Sequence, residues 1–204
     1  MNPKKTLFES LKNEKIIKNF LVLEAFNKVD REEFLPDYLK DLAYADAPLP
    51  ISKTENINQV STTLFFIDAL NIKEGQTIYE VGSGTGYSTA ILSILAGKKG
   101  KVVSFELDKE LYAKAKKNLK KYSNVELILG NGLKGWPDKA PYDKIILFGA
   151  TDEKPDALIN QLKVNGAIVY PHGTILQTLT RITKLDKGFK KEELGEYRLS
   201  KLIK

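Results

Sequence analysis

The stretch TIYEVGSGTGYSTAILSILAG, Thr77 to Gly97, constrains this chain more than any other. A β-rich run ends at Val81, glycines follow at 82, 84 and 86, and an apolar helical pattern runs from Tyr87 until Gly97 stops it. Glycine lacks a Cβ, so the backbone can turn sharply there and a ligand can come close to the main chain. The pattern downstream keeps alternating. KVVSFEL reads as a buried strand, DKELYAKAKKNLKKY as an amphipathic helix opened by a capping acid, VELILG and YDKIILFG as strands, KPDALINQL as a helix and GAIVYP as a strand. Such alternation specifies an α/β, Rossmann-like fold with a mostly parallel central sheet covered on both faces. The tail from Ile175 to Lys204 reads as strands around a turn at DKG, adding antiparallel strands to the sheet.

The region before the glycine loop reads as helices. In IIKNFLVLEAFNKV, Ile17, Phe20, Leu21 and Ala25 share one helical stripe, with Val22, Phe26 and Val29 beside it. Pro48 and Pro50 then force extended backbone at Ala47 and Leu49, and VSTTLFFIDAL follows as a helix. With 204 residues and no internal repeat or low-complexity linker, the expectation is one domain over residues 1–204: N-terminal helices and a loop over 1–72, and a ligand-binding sheet over 73–204.

The hydrophobic fraction of 42% and charged fraction of 28% are those of a soluble globular protein. No apolar run has the length of a membrane span, and the basic start MNPKKTLFES has no apolar signal core after it, so a cytoplasmic protein is expected. Without cysteine there is no thiolate metal site and no cysteine nucleophile, and nothing in the sequence calls for a metal. The net charge of +6 comes from lysines interleaved with acids, a pattern of solvated helix faces rather than of a nucleic-acid surface.

The loop spacing is G-x-G-x-G; Tyr87 stands where a dinucleotide motif has its last glycine. Glu80, two residues before Gly82, would repel a pyrophosphate and favour a cationic ligand. S-adenosyl-L-methionine carries an ammonium, a sulfonium, a carboxylate and a ribose diol. Its carboxylate suits the amide-rich loop of Gly82, Ser83, Gly84 and Gly86 at the helix start. Glu106 ends the next strand, with Leu107 after it, where a carboxylate can accept both ribose hydroxyls. After the third strand of the unit, Asn131 could accept a hydrogen bond from the adenine amino group beside Gly132; an ordinary Asn-Gly turn explains that pair equally well.

VDREEFLP, YADAPLPI, INQ, YEVGSGTGYSTA, VVSFEL, GNGLKGWPDKAPYD, ALINQLKVNGAIVYPHG and YRLSKLI follow one another in an order that resembles the protein-L-isoaspartate O-methyltransferases over nearly the full length. The resemblance implies methyl transfer from S-adenosyl-L-methionine, leaving S-adenosyl-L-homocysteine, to the free α-carboxylate of isoaspartyl residues in damaged proteins and peptides. It implies that Tyr44, Asp46, Pro48 and Asn56 shape the acceptor side, and that Asn58 stands at the family's catalytic or substrate-orienting serine. Where members usually read Thr-Ile-Ser-x-Pro, this chain has Asn56-Ile57-Asn58-Gln59-Val60, and their Gly-Asp-Gly is Gly130-Asn131-Gly132. A carboxylate acceptor is already ionised at neutral pH and needs no general base, so the lone His172 is expected to be structural or peripheral. A monomer is expected. A methyltransferase for another acceptor such as RNA, or a non-catalytic module for the cofactor or damaged peptides, remains as an alternative, with a nicotinamide dehydrogenase a distant fourth.

Overall fold

The computed structural model describes residues 2–202. Helix α1 (Pro3–Asn13) begins where the Asn2 side chain accepts hydrogen bonds from the Lys4 and Lys5 amides, which satisfies donors that a first helical turn leaves open. Helix α2 (Phe20–Lys28) is capped by the Asn19 side chain, which accepts from the Leu21 amide. The stripe expected from the sequence is therefore corrected. The Lys18 and Asn19 amides donate to the Asp68 carboxylate at 3.1 and 3.0 Å instead of joining a helix. Helix α2 buries Val22, Leu23, Ala25 and Phe26, while Phe20 and Leu21 are exposed.

Two short 3-10 turns, Arg31–Phe34 and Asp37–Leu42, lead to a hairpin of β1 (Leu49–Pro50) and β2 (Asn56–Ile57), in which Leu49 pairs with Ile57 and Pro50 with Asn56. Helix α3 (Val60–Leu70) follows, as its apolar pattern requires.

The remaining strands and α-helices are β3 (Thr77–Val81), α4 (Tyr87–Ala96), β4 (Lys101–Glu106), α5 (Lys109–Asn118), β5 (Val125–Leu129), β6 (Tyr142–Leu147), α6 (Asp156–Asn160), β7 (Leu162–His172), β8 (Gln177–Lys184) and β9 (Phe189–Tyr197). The described residues form a seven-stranded sheet in the order β5-β4-β3-β6-β7-β8-β9. Strands β3 to β7 pair parallel, and β8 pairs antiparallel with both β7 and β9. The expected hairpin around DKG is present. Ile203 and Lys204, the end of the tail, lie outside the described residues. Helix α5 starts at the expected acid: the Asp108 carboxylate accepts from the Glu110 and Leu111 amides at 2.7 and 2.9 Å. Helix α6 is shorter than KPDALINQL, because the chain turns at Gln161 into β7.

The chain builds outward from β3 through β4 to β5, then returns to the other side of β3 with β6. Such a reversal opens a crevice at the carboxyl ends of the strands. One apolar cluster, including Phe26, Leu64, Ile91 and Ile146, packs the N-terminal helices and α4 onto one sheet face. A second, with Tyr79, Phe105, Tyr142, Leu158 and Tyr170, fills the other. Among the described residues, no helix is long and apolar enough to cross a membrane.

Candidate active site

A cleft of about 300 Å³ opens at that crevice, within the size range of small-molecule sites. Its floor is the glycine loop. Gly82, Gly84 and Gly86 hold φ of 88°, 57° and 96°, backbone that L side chains rarely adopt. The Gly82 and Ser83 amides donate to the Phe105 carbonyl at 2.9 and 3.2 Å, tying the loop to β4. Gly82, Ser83 and Gly84 line the cleft. Gly86 is displaced from the expected ligand wall: a Cβ there would stand 2.9 Å from Leu119 Cγ, so this glycine serves packing.

The two acids differ. Glu106 lines the cleft and is 7% exposed. Its Oε2 accepts from the Gly84 amide at 2.7 Å and its Oε1 from the Asp108 amide at 2.9 Å. Burial pushes its carboxyl above the usual range, while these backbone donors pull it back. Glu80, expected against the cationic groups of a ligand, is instead fully buried and off the cleft wall. It pairs in register with Ser104 on β4, so both side chains share one sheet face. There it accepts from Ser88 Oγ and Thr89 Oγ1 at 2.5 Å each and from Ser104 Oγ at 2.6 Å. Desolvation pushes the Glu80 carboxyl up, against these three hydroxyl donors.

Leu107, Asn131 and Gly132 also line the cleft. The Asn131 amide oxygen accepts from the Leu133 amide at 2.9 Å, so the turn role is present at the expected adenine position. A Cβ on Gly132 would stand 2.8 Å from Phe105 Cβ, so only glycine lets this turn close on β4.

The opposite wall comes from the hairpin and the start of α3, including Asn56, Asn58 and Thr63. The other residues expected on the acceptor side do not line the cleft. Tyr44 faces a separate shallow hollow with Asn2 and Glu32, and its ring packs edge-on to Phe26 at 6.3 Å. Asp46, in left-handed backbone at φ 48°, accepts from the Ser61 amide at 2.8 Å and so caps α3 across the loop. Pro48 is exposed and off the wall. His172 lies on β7, also away from the cleft wall.

Sequence reasoning missed several wall residues. Ile51, Thr54 and Glu55 reach the cleft from the hairpin, and Phe148, Gly149, Ser200, Lys201 and Leu202 close another side. The tail is anchored there by Ala150 N to Ser200 O and Leu202 N to Ala150 O, both 2.9 Å, and by Leu199 N to Gln177 Oε1 at 2.8 Å. The local sequence near Leu202 carries no signal of this.

The Ser83 and Thr85 hydroxyls and the Tyr87 phenol are buried without a hydrogen-bond partner, and all three residues line the cleft. Buried polar atoms without partners are rare. Here they leave hydroxyl donors available beside the glycine loop, while Glu106 borders the same cleft as an acceptor. That combination fits the carboxylate and ribose of S-adenosyl-L-methionine.

The sequence pattern of the protein-L-isoaspartate(D-aspartate) O-methyltransferase (PCMT) family matches residues 1–198. A protein-L-isoaspartate O-methyltransferase of Methanococcus aeolicus is 39% identical over 199 residues, covering 97% of this chain and 92% of its own. A solved protein-L-isoaspartate O-methyltransferase superposes with a TM-score of 0.89 at 29% identity; the match covers 98% of this chain but 66% of that one. A Plasmodium falciparum structure, described as a candidate protein-L-isoaspartate O-methyltransferase in complex with S-adenosyl-L-homocysteine, superposes with a TM-score of 0.88 at 27% identity, over 100% of this chain and 99% of its own.

Proposed function

Because the chain belongs to the protein-L-isoaspartate(D-aspartate) O-methyltransferase family, we propose that its cleft methylates the free α-carboxylate of isoaspartyl residues in damaged proteins. S-adenosyl-L-methionine supplies an electrophilic methyl group: the carboxylate oxygen bonds to the methyl carbon while the carbon–sulfur bond breaks, its electron pair staying on the sulfur of S-adenosyl-L-homocysteine. One observation carries the reading. The glycine loop with Glu106 and the Asn56–Asn58 hairpin face each other across a single cleft.

Each wall then has a task. The Ser83 and Thr85 hydroxyls receive the cofactor's carboxylate, and Glu106 receives its ribose. Asn131 and Gly132 border the adenine, and Leu107 packs beside it. On the acceptor wall, the Asn58 side-chain amide donates to the isoaspartyl carboxylate and holds it in line with the methyl group, with Asn56 beside it. No proton has to be removed, because a carboxylate is ionised at neutral pH. The rate therefore rests on orientation and on excluding water, which Phe148 and Leu202 serve as apolar cover. Residues 1–72 and 73–204 act in this reading as the acceptor and cofactor sides of one domain. In this reading the enzyme acts as a monomer on cytoplasmic proteins.

The test is transfer of radiolabelled methyl to matched isoaspartyl and aspartyl peptides. The expected result is transfer to the isoaspartyl peptide alone, with Asn58→Ser retaining or raising it. Equal labelling of both peptides, or of neither, would sink the assignment; loss of all activity in Asn58→Ser would give Asn58 a role of its own.

A further inference from the structure

We infer that Arg31 is a positioning residue for this methyl transfer, holding the acceptor wall at Asn58 against the helix that leaves the glycine loop. The inference rests on the isoaspartyl reading for its chemistry, though its geometry stands apart from it.

Arg31 is 0% exposed. Moving a charge into a protein interior costs several kcal/mol unless the interior compensates. The compensation here comes from carbonyl groups, with the nearby Asp46 carboxylate adding to it. Arg31 Nη1 donates to the Ala43 carbonyl at 2.8 Å, and Nη2 donates to the Asn58 carbonyl at 2.8 Å and, more weakly, to the Ala47 carbonyl at 3.4 Å. The guanidinium lies 5.7 Å from the centre of the Tyr87 ring, close enough for a cation–π contact. The Arg31 amide itself donates to the Tyr44 hydroxyl at 3.2 Å. Burial is the largest influence on the guanidinium and lowers its pKa from the usual value, yet an arginine keeps its proton throughout the physiological range.

These contacts select what Arg31 controls. Ala43 and Ala47 bracket the turn whose Asp46 caps α3 through the Ser61 amide. Asn58 sits just before that same helix. Both approaches to the acceptor wall thus converge on one fork of donors. Tyr87 is the first residue of α4 and lines the cleft from the glycine-loop side. Arg31 itself is not on the cleft wall, so it touches neither acceptor nor cofactor. It fixes the distance between the group that orients the carboxylate and the loop that holds the methyl donor. In-line transfer is sensitive to that distance, because a misplacement of about 1 Å can cost roughly a hundredfold in rate.

Arg31→Lys offers the direct test, since a lysine keeps the charge but cannot span three carbonyls with a planar fork. For Arg31→Lys, kcat/KM for the isoaspartyl peptide is expected to fall at least about tenfold, the scale of one lost charge-assisted hydrogen bond. The Kd for S-adenosyl-L-homocysteine by calorimetry should stay within about twofold of wild type. Arg31→Met should lower kcat/KM further if it folds. A parallel loss of peptide turnover and cofactor affinity would reduce Arg31 to a general structural role and overturn the inference, as would unchanged turnover. Amide hydrogen exchange of Arg31→Lys gives a second readout that needs no activity. Exchange should accelerate over residues 56–61 and not over 82–86. Unchanged exchange at 56–61 overturns the inference, and because this holds even if the wild type ignores isoaspartyl peptides, failure of the isoaspartyl reading is distinguished from failure of this one.

Discussion

Glu80 and Glu106 show how much depends on which way one side chain points. Both acids end or nearly end a strand beside the glycine loop, and both look like ligand groups in the sequence. Glu80 is held under α4 by Ser88, Thr89 and Ser104, so it braces the loop from below. Glu106 spends one acceptor site of each oxygen on a backbone amide and still borders the cleft. Glu106→Gln should weaken S-adenosyl-L-homocysteine binding by about 1–3 kcal/mol, because one ribose hydroxyl then meets a donor in place of an acceptor. Calorimetry checks this, and an unchanged Kd would remove Glu106 from the ribose site. The asparagines divide similarly. Asn131 spends its amide oxygen on a turn, while Asn58 is held through its backbone carbonyl and borders the cleft.

At the scale of elements, β6 carries a cost that nothing in its pattern reveals. Lys144 lies between Ile78 of β3 and Ala167 of β7 and is 6% exposed. Desolvation drives its pKa from 10.5 down to about 8; Arg181 and Lys73 push the same way and Asp143 the other. The sign follows from proton counting. Below about pH 8 both folded and unfolded chains hold the proton, and the folded state bears the whole penalty. Between about 8 and 10.5 the unfolded chain holds more protons, so stability rises with pH; above 10.5 the penalty is gone. Lys144→Met should therefore stabilise the protein by roughly 1–3 kcal/mol near neutral pH. Denaturant melts at neutral and alkaline pH would show it, with the advantage shrinking as pH rises. A constant advantage would mean that the gain comes from packing alone. Helix α3 makes the complementary point: its N-terminus has no side-chain cap from Gln59, and a carboxylate from a preceding loop provides one.

At the scale of the molecule, the cleft is closed by parts far apart in the chain. The space left by two glycines takes Leu202: its Cδ2 lies 3.6 Å from where a Cβ on Gly82 would stand and 2.7 Å from the same point on Gly149. Leu202→Ala should weaken S-adenosyl-L-homocysteine binding several-fold, roughly threefold to tenfold, by uncovering apolar surface beside the glycine loop. Calorimetry on the full chain checks it, and wild-type affinity would show that the tail is a bystander. The sequence by itself determined the order of strands and helices after the glycine loop, the Asp108 cap, the hairpin at DKG and the family. Those depend on periodicity, on backbone that only glycine adopts readily, and on contacts within a few residues. Only the tertiary structure decided that Glu80 faces inward and Glu106 the cleft, that Asp46 caps a helix, that Leu202 covers Gly82, and that Arg31 gathers Ala43, Ala47 and Asn58. Each of those outcomes is set by which elements pack together. A residue's type fixes what it can donate or accept, whereas its partner and its burial come from chain segments that sequence spacing does not bring near.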